Sequence, residues 1–342
     1  MYIVRPVEMR DIAALESLAG VATPWMHTLP KTREAIARSV EHSIASFATQ
    51  VDIPSEESYI FVLEDGADGS IAGSAAISAI AGSNGTYFAF RNDAVQQVSR
   101  DLNISHSIHA LTLCSELTGH SQLSSFAVRD WRSVGPGAAL LSRARLLFAA
   151  AAPQRFGDRF FVALAGATGA NGASPFWDAI GRKFFQMDFM EAERVVEGAR
   201  NRTLIVELMP HYQVYVPLLP SDAQGAMGRV HPEGEAALRM LAQEGFEPGQ
   251  HIDIFDGGPI LQAHKNALRS FSSSMPRRVE AAGPAGDQPG RNYVVGSVRD
   301  GTFRAVMLAC PALEHGDNVA LPPEAMRSLG VAPGARVICV RV

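Results

Sequence analysis

The sequence is poor in cysteine, with three among 342 residues, at Cys114, Cys310 and Cys339. They lie far apart inside apolar stretches and form no C-x-x-C pair, which excludes a disulfide framework. We therefore expect a protein of a reducing compartment, the cytoplasm.

Long apolar runs and clusters of positive charge are also missing. No window reaches the roughly 18 consecutive apolar residues of a membrane-spanning helix. The first residues show no basic stretch followed by an apolar one, which a secretory signal needs. Basic residues are scattered, and 30 Lys plus Arg against 35 Asp plus Glu give a formal net charge of −5. Neither a membrane nor a nucleic acid is expected as a partner.

What is present is the composition of a globular protein, with 47% apolar and 19% charged residues. Disordered chains and small disulfide-rich scaffolds are thereby excluded. At about 150 residues per domain, the length predicts about two domains, each large enough to bury its own core.

The first part of the chain opens with a strand and a helix. A short strand is predicted at residues 2–6, and Asp11 is predicted to cap the helix that follows it. A second helix is predicted from Thr32. Residues 58–64 and 71–77 are strand-like runs separated by a loop rich in turn-forming residues, so we expect an antiparallel hairpin.

Strands then alternate with helices. Residues 123–128 predict a strand, residues 138–151 a long helix and residues 160–164 a buried strand. A further helix is predicted over residues 175–180, with Ser174 as its cap. An antiparallel hairpin followed by alternating elements predicts the α/β (α+β) class, with a mixed sheet flanked by helices on both faces.

The end of the chain has a different pattern. Residues 272–291 are rich in Ser, Pro, Gly and Arg, which predicts a linker or surface loop. Three strand-like runs follow, at residues 293–298, 303–308 and 336–342. A short helix is predicted at residues 322–329, between the second and third of these runs. We therefore predict two units, a larger one over residues 1–258 and a small β-rich module over residues 259–342.

A glycine-rich loop lies between the predicted strand 123–128 and the helix after it. Arg132, Gly135, Gly137 and Ala138 match the pattern R-x-x-G-x-G/A at this strand-to-helix turn. Glycines let a ligand approach the main chain closely, and the first N–H groups of a helix bind pyrophosphate. An ordinary glycine-rich turn is the alternative. The placement favours a phosphate site, and it resembles the coenzyme A loop of GNAT-type acyltransferases.

This resemblance implies that coenzyme A contacts both the strand end and the loop. The implied contact residues are Ser125, Phe126, Val128, Arg132, Gly135, Gly137 and Ala138. We expect a side chain introduced at Gly137 to block the pyrophosphate and to leave folding nearly unchanged.

One position departs from the GNAT pattern. Many members have a tyrosine that protonates the leaving thiolate, and Trp177 occupies that position here. An indole N–H does not release a proton near neutral pH, so an acid must come from elsewhere.

Five segments resemble the bacterial arginine N-succinyltransferases, over nearly the whole chain. They are Ser174-Pro-Phe-Trp177, Glu207-Leu-Met-Pro210, Gly228-Arg-Val-His231-Pro232, Glu244-Gly-Phe246 and Ile252-Asp-Ile-Phe-Asp-Gly-Gly-Pro259. Within that family, residues 57–65 and 209–220 are most similar to the alpha subunits of the arginine/ornithine succinyltransferases.

The family resemblance implies transfer of a succinyl group from succinyl-CoA to the α-amine of L-arginine or L-ornithine, in arginine catabolism. Succinyl-CoA is then a co-substrate, and no permanently bound cofactor is expected. The resemblance also implies an oligomer that can include a homologous beta subunit. The alternative is a catalytically weak structural or acyl-CoA-binding subunit of a heteromeric succinyltransferase.

The same resemblance implies a catalytic residue. In the family, a histidine in a Val-His-Pro motif is the proton donor, and this role falls on His231. A main-chain contact to the acyl-CoA falls on Ser125, where the family commonly has leucine. His211 is the nearest rival to His231 among the ten histidines. His106 and His109 are interpreted as a surface pair, and no metal is expected.

Substrate recognition requires charged groups of both signs. A guanidinium is held by carboxylates through parallel hydrogen bonds, and the candidates are Glu207, Asp253 and Asp256. Solvated or capping acidic residues are the alternative interpretation of these three. Arg91 and Asn92 are candidates for binding the succinyl carboxylate. Since no cysteine lies in a motif with an activating histidine, we expect direct attack of the amine on the thioester.

Overall fold

The computed structural model describes residues 1–21, 32–169, 172–195, 207–282, 290–299, 302–313 and 316–342. Within these ranges, 15 strands form one mixed sheet. The strands are β1 Tyr2–Pro6, β2 Ser58–Asp65, β3 Ile71–Ser78, β4 Ala89–Ser99, β5 Ile104–Cys114, β6 Ser121–Val128, β7 Arg159–Ala163, β8 Val214–Tyr215, β9 Glu247–Ile252, β10 Pro259–His264, β11 Met275–Ala281, β12 Arg291–Arg299, β13 Thr302–Cys310, β14 Asn318–Leu321 and β15 Arg336–Arg341. Their order across the sheet is β14-β11-β15-β12-β13-β1-β2-β3-β6-β7-β10-β9-β4-β5-β8.

Helices cover both faces of this sheet. The α-helices of the described ranges are α1 Ile12–Val21, α2 Arg33–Ala48, α3 Trp131–Val134, α4 Pro136–Ala151, α5 Pro175–Ala179, α6 Gly181–Phe185, α7 Phe189–Val195, α8 Ser221–Ala226, α9 Glu235–Glu244, α10 Arg269–Ser272 and α11 Pro323–Leu329. α4 packs against Phe61 and Leu63 of β2, whereas α1 packs against Val62, which lies on the opposite face of the strand. The predicted mixed α/β sheet with helices on both faces is confirmed. None of the described helices is long and apolar enough to cross a membrane.

Most of the predicted local elements are confirmed. β2 and β3 form the predicted antiparallel hairpin, with Tyr59 opposite Ile77. α4 begins at Pro136, ahead of the predicted start, because proline fits the first position of a helix. Ser174 caps α5 as predicted, since its hydroxyl accepts the Trp177 N–H at 3.1 Å.

Asp11 has a different role from the predicted one. It ends the 3-10 turn Met9–Asp11 that precedes α1, and its carboxylate accepts the Glu8 N–H at 2.8 Å. The same carboxylate binds the buried Arg5 guanidinium through hydrogen bonds of 2.7 and 2.9 Å. A buried cation needs such a partner, so the pair ties β1 to the turn that starts the first helix.

The predicted linker over residues 272–291 is wrong in part, because β11 lies within it. β11 pairs antiparallel with β15 and parallel with β14. Most of its side chains are exposed or half-buried, and Val279 is the buried one, which explains why its composition is that of a loop. Residues 283–289 of the predicted linker lie outside the described residues.

Hydrogen bonds and core packing both cross the predicted boundary at residue 258. β10, which starts at Pro259, lies between β7 and β9. β13 pairs with β1, and Phe303 and Val340 belong to the same apolar cluster as Phe61 and Leu147. A second cluster around Val279 is built by the C-terminal strands. Division into two units after residue 258 stays a prediction.

Candidate active site

The parallel strands β6 and β7 are neighbours near the middle of the sheet, but only part of β6 pairs with β7. They pair only through residues 121–123 of β6 and 160–162 of β7. On its other edge, β6 continues to pair with β3 as far as Val128. Residues 124–128 therefore present main-chain groups that β7 does not bind, and an extended ligand with amide groups suits such an edge.

Ser125 lies in a bulge within this part of β6. Ser74 pairs with Ala127 and Ala76 pairs with Ser124, so residues 125 and 126 together oppose one residue of β3. Ser125 has a φ of 52°, in the left-handed region. A non-glycine residue in that region costs about 1–3 kcal/mol, so the surrounding structure must hold it there. One such contact is the Ser74 hydroxyl, which donates to the Ser125 carbonyl at 3.3 Å.

The glycine-rich loop connects β6 to the N-terminus of α4. Asp130 caps the short α3 by accepting the Arg132 N–H at 2.9 Å, and this hydrogen bond lowers the pKa of the Asp130 carboxyl. Gly135, with φ 50° and ψ −122°, has a backbone conformation that requires glycine. No side chain caps α4, and Arg132, Gly135 and Pro136 are exposed. The end of β6 therefore leads to an accessible helix N-terminus, a favourable place for a phosphate.

Gly137 faces the protein interior and not the loop surface, which corrects the expectation for this position. A Cβ built on it would lie 2.9 Å from the Tyr2 ring and 3.1 Å from the side chains of Leu63 and Val134. Gly137 is thus needed for close packing of α4 on the sheet.

We expect the Gly137→Val variant to lose stability rather than to lose ligand binding alone. Overpacking of a core costs about 1–3 kcal/mol, which lowers the unfolding temperature by several degrees. The measurement is thermal unfolding of the ligand-free protein, beside an acyl-CoA titration. An unchanged unfolding temperature with abolished binding would contradict this expectation.

His231 is attached to the chain just beyond the end of β7. Its N–H donates to the Ala165 carbonyl at 2.8 Å, and the preceding Val230 forms a β-bridge with Gly166. Its ring Nδ1 accepts the Glu233 N–H at 3.2 Å. The neutral ring therefore carries its proton on Nε2.

The environment of His231 favours the uncharged ring. The residue is 6% exposed, and burial lowers its pKa, an effect that the negative charges of Glu233 and Asp256 oppose. The neutral form is therefore the dominant one at neutral pH.

Asp256 holds the segment to which His231 is attached. Its Oδ2 accepts the Gly166 N–H at 2.6 Å and its Oδ1 accepts the Gly258 N–H at 2.7 Å. The side chain is fully buried. Asp256 thereby joins the loop between β9 and β10 to the chain that leaves β7.

Comparison with known proteins shows the family to which the chain belongs. The family model described as arginine N-succinyltransferase beta subunit matches residues 2–270. The chain is 42% identical to the arginine N-succinyltransferase subunit alpha of Pseudomonas aeruginosa over 344 residues, which cover 100% of both chains. The chain belongs to the arginine N-succinyltransferase family.

Two further comparisons support the assignment. The chain is 35% identical to the arginine N-succinyltransferase of Escherichia coli, over 100% of this chain and 98% of the relative. The solved structure of the arginine/ornithine succinyltransferase subunit AI from Pseudomonas aeruginosa matches with a TM-score of 0.87 and 40% identity, covering 100% of this chain and 98% of that chain. The resemblance to this family is confirmed, and the chain is an acyltransferase.

The predicted carboxylates for the guanidinium differ in their surroundings. Glu207 is exposed. Asp253 is buried, and its Oδ1 accepts the Phe255 N–H at 2.8 Å. Both oxygens of Asp256 are bound by main-chain N–H groups, which favours a positioning role for it. Substrate binding by Glu207 and Asp253 stays a prediction.

The predicted residues for the succinyl carboxylate are held by protein groups. Arg91 binds Asp93 through hydrogen bonds of 2.7 and 3.2 Å and also contacts Glu116. The Asn92 amide oxygen is 2.9 Å from the His109 Nδ1. A role of Arg91 with substrate therefore requires that it leave two carboxylates, and it too stays a prediction.

A cluster of Cys114, Glu116 and His251 was not foreseen in the sequence. One polar atom from each lies within 4.8 Å of the others, and the His251 Nε2 is 3.0 Å from the Glu116 Oε2. The His251 Nδ1 is 2.8 Å from the Gln262 amide nitrogen, and burial raises the pKa of the Cys114 thiol. Since the histidine nitrogens have partners and the thiol stays protonated, we interpret the cluster as a hydrogen-bonded part of the sheet. Cys114 lies on β5, Glu116 in the turn after it and His251 on β9, and no sequence motif connects these elements.

Trp177 belongs to the core. It is fully buried, its indole N–H donates to the Met187 carbonyl at 3.0 Å, and it stacks on Phe255. Because a carbonyl holds the indole N–H, this residue does not take the acid role that the GNAT pattern gives to a tyrosine at this position. The rival His211 is exposed, as are His106 and His109.

Proposed function

We propose that this chain transfers the succinyl group of succinyl-CoA to the α-amine of L-arginine, with L-ornithine as a second acceptor. The observation that carries the proposal is the segment of β6 at residues 124–128, which has no ladder pairing with β7 and leads to the exposed N-terminus of α4. His231 is attached beyond the end of β7, the strand that pairs with residues 121–123 of β6.

Coenzyme A is proposed to lie along β6. The amides of its pantetheine arm pair with the main chain of residues 125–128, including Phe126 and Val128, where β7 offers no partner. Its pyrophosphate lies at the N-terminus of α4, between Gly135 and the exposed Arg132. Helix N–H groups and one guanidinium supply the donors that a pyrophosphate requires.

The chemistry is direct attack of a neutral amine on the thioester. The amine nitrogen forms a bond to the carbonyl carbon, and the carbon–sulfur bond breaks. The amine loses one proton and the leaving sulfur gains one. His231 is proposed to act through its Nε2–H, because Glu233 holds Nδ1 as an acceptor. The Nε2–H donates a hydrogen bond to the leaving sulfur and stabilises its developing negative charge, while the proton lost by the amine passes to the sulfur, so the ring stays neutral throughout.

Location and assembly are parts of the same proposal. The free thiols of Cys114, Cys310 and Cys339 support a cytoplasmic location. The relative from Pseudomonas aeruginosa is named a subunit, which supports assembly with further subunits. That name also favours a second candidate, in which this chain binds acyl-CoA but contributes little catalysis.

A thiol-release assay on the purified chain tests the function. Succinyl-CoA or acetyl-CoA is offered with arginine, ornithine or lysine, and the free thiol of coenzyme A is measured. We expect release with succinyl-CoA and arginine or ornithine, and little with acetyl-CoA or with lysine. Binding of succinyl-CoA without thiol release from any amine would support the second candidate instead.

A further inference from the structure

Arg145, in the middle of α4, is a buried cation that the proposed chemistry does not use. It is 2% exposed. Its hydrogen bonds go to main-chain carbonyls, those of Ser142, Ala76 and Ser124, each at 3.3 Å. None goes to a carboxylate in the described part of the chain. Burial lowers the pKa of Arg145 to about 9, so the group is still charged at neutral pH.

Such an arrangement is costly, and an apolar side chain in its place would avoid the cost. Removing a charge from water without an opposite charge nearby carries a large free-energy penalty, which hydrogen bonds offset only in part. The groups that Arg145 binds therefore indicate which function a charged side chain serves at this position.

The carbonyls bound by Arg145 lie at the start of the β6 bulge. Ala76 and Ser124 are opposite each other in the register, and the bulge residues 125 and 126 come directly after this pair. One nitrogen, Nη1, donates to both carbonyls and so connects β3 to β6 at this point. The guanidinium also lies 5.3 Å from the centre of the Phe126 ring, in cation–π contact with the second bulge residue.

We propose that Arg145 is a positioning residue for acyl-CoA, which holds the β6 bulge in the conformation that binds the ligand. It touches the residues on either side of Ser125 and acts through them. This inference rests on the proposed function, since it takes the main chain of residues 125–128 as the acyl-CoA contact.

Arg143, on the same helix, provides a matched control. It is also buried, but it donates to the Arg341 carbonyl at 2.8 Å and lies 3.9 Å from Glu244. These contacts tie α4 to β15 and α9, and none of them involves β6.

The test compares Arg145→Met, Arg145→Lys and Arg143→Met with the wild-type chain. We expect Arg145→Met to raise the KM for succinyl-CoA about tenfold or more, by loss of the hydrogen bonds that fix the bulge. Its kcat should fall far less, and its unfolding temperature should be unchanged or higher, because a lone buried charge is gone. Arg145→Lys keeps the charge and should give a smaller rise in KM. Arg143→Met should lower the unfolding temperature and leave KM near the wild-type value.

Hydrogen exchange of β6 amides separates failure of this inference from failure of the proposed function. If succinyl-CoA does not protect residues 124–128 in the wild-type chain, the proposed binding site is wrong and the inference falls with it. If the wild type shows protection but Arg145→Met has an unchanged KM, Arg145 has only a packing role. An equal rise in KM for Arg143→Met would likewise overturn the inference. If Arg145→Met does not fold, the KM of Arg145→Lys for succinyl-CoA is the test. A raised KM supports the inference, and an unchanged KM contradicts it.

Discussion

Replacement of His231 by alanine is expected to lower kcat about 10²–10³-fold, the usual effect of removing one hydrogen-bond donor that is aimed at developing negative charge. The affinity for succinyl-CoA should change little, because the proposed coenzyme A contacts lie on β6 and α4. The main-chain bond from residue 231 to Ala165 does not involve the imidazole, so the alanine variant keeps its attachment to the end of β7.

Two controls make this result specific. His211→Ala removes an exposed histidine and should retain wild-type kcat. Cys114→Ala should also retain activity, because burial keeps that thiol protonated and the direct mechanism forms no acyl-enzyme. A His231→Ala variant with wild-type turnover, or a succinylated Cys114 found by mass spectrometry, would contradict the mechanism.

The protonation of His231 can be measured independently by NMR titration, with the alanine variant used to assign its signal. We expect a midpoint below the ordinary value of 6.5, since burial disfavours the imidazolium. The unfolded chain binds this proton more readily than the folded one. Protonation therefore destabilises the fold as the pH falls below about 6.5, and this contribution is absent above it.

The elements around the proposed coenzyme A site could be predicted from the sequence because their signals are local. The β2–β3 hairpin is two apolar runs joined by turn-forming residues, and α4 is a run of strong helix formers started by a proline. The glycine-rich loop between β6 and α4 was found in the same way. Each signal needs no more than about 15 neighbouring residues, within the range of sequence periodicity.

Strands β4 and β9 carry no such local sequence signal. β4 contains Arg91, Asn92 and Asp93, and most of its side chains are exposed or half-buried, so the alternation of apolar and polar residues is absent. β9 contains Pro248 and Gly249, which disfavour strands. These segments become strands because their neighbours in the sheet offer main-chain partners, and β4 pairs with β5 along its full length. Long-range pairing of this kind does not appear in a local pattern.

The direction in which site residues point is a property of the packing. The sequence located Gly137 in the loop, but only the contact with Tyr2 shows that it faces the core. The link from Asp256 to Gly166 spans 90 positions of the chain, and the sequence presented Asp256 as one of several acidic residues. The family resemblance identified His231 as a candidate, whereas only the structure shows the contacts that hold it in place.

Replacement of Asp256 by alanine is expected to destabilise the fold strongly and to lower kcat as well. Both carboxylate oxygens accept buried main-chain N–H groups, from Gly166 and Gly258. Each donor left without a partner costs about 1–3 kcal/mol, so the free energy of unfolding should fall by about 2–6 kcal/mol. Denaturant unfolding measures this loss, and Asp158→Ala, which removes an exposed aspartate paired with Lys265, is the control expected to change little.

The kinetic effect distinguishes positioning of His231 from stability alone. Asp256 binds Gly166, and residues 165 and 166 hold the chain at His231 and Val230. At a temperature where the Asp256→Ala chain is still folded, kcat should be reduced while the KM for succinyl-CoA stays near the wild-type value. A small displacement of a catalytic group lowers the reaction rate before it affects substrate binding. A normal kcat in the folded variant would therefore show that His231 is held in place without Asp256.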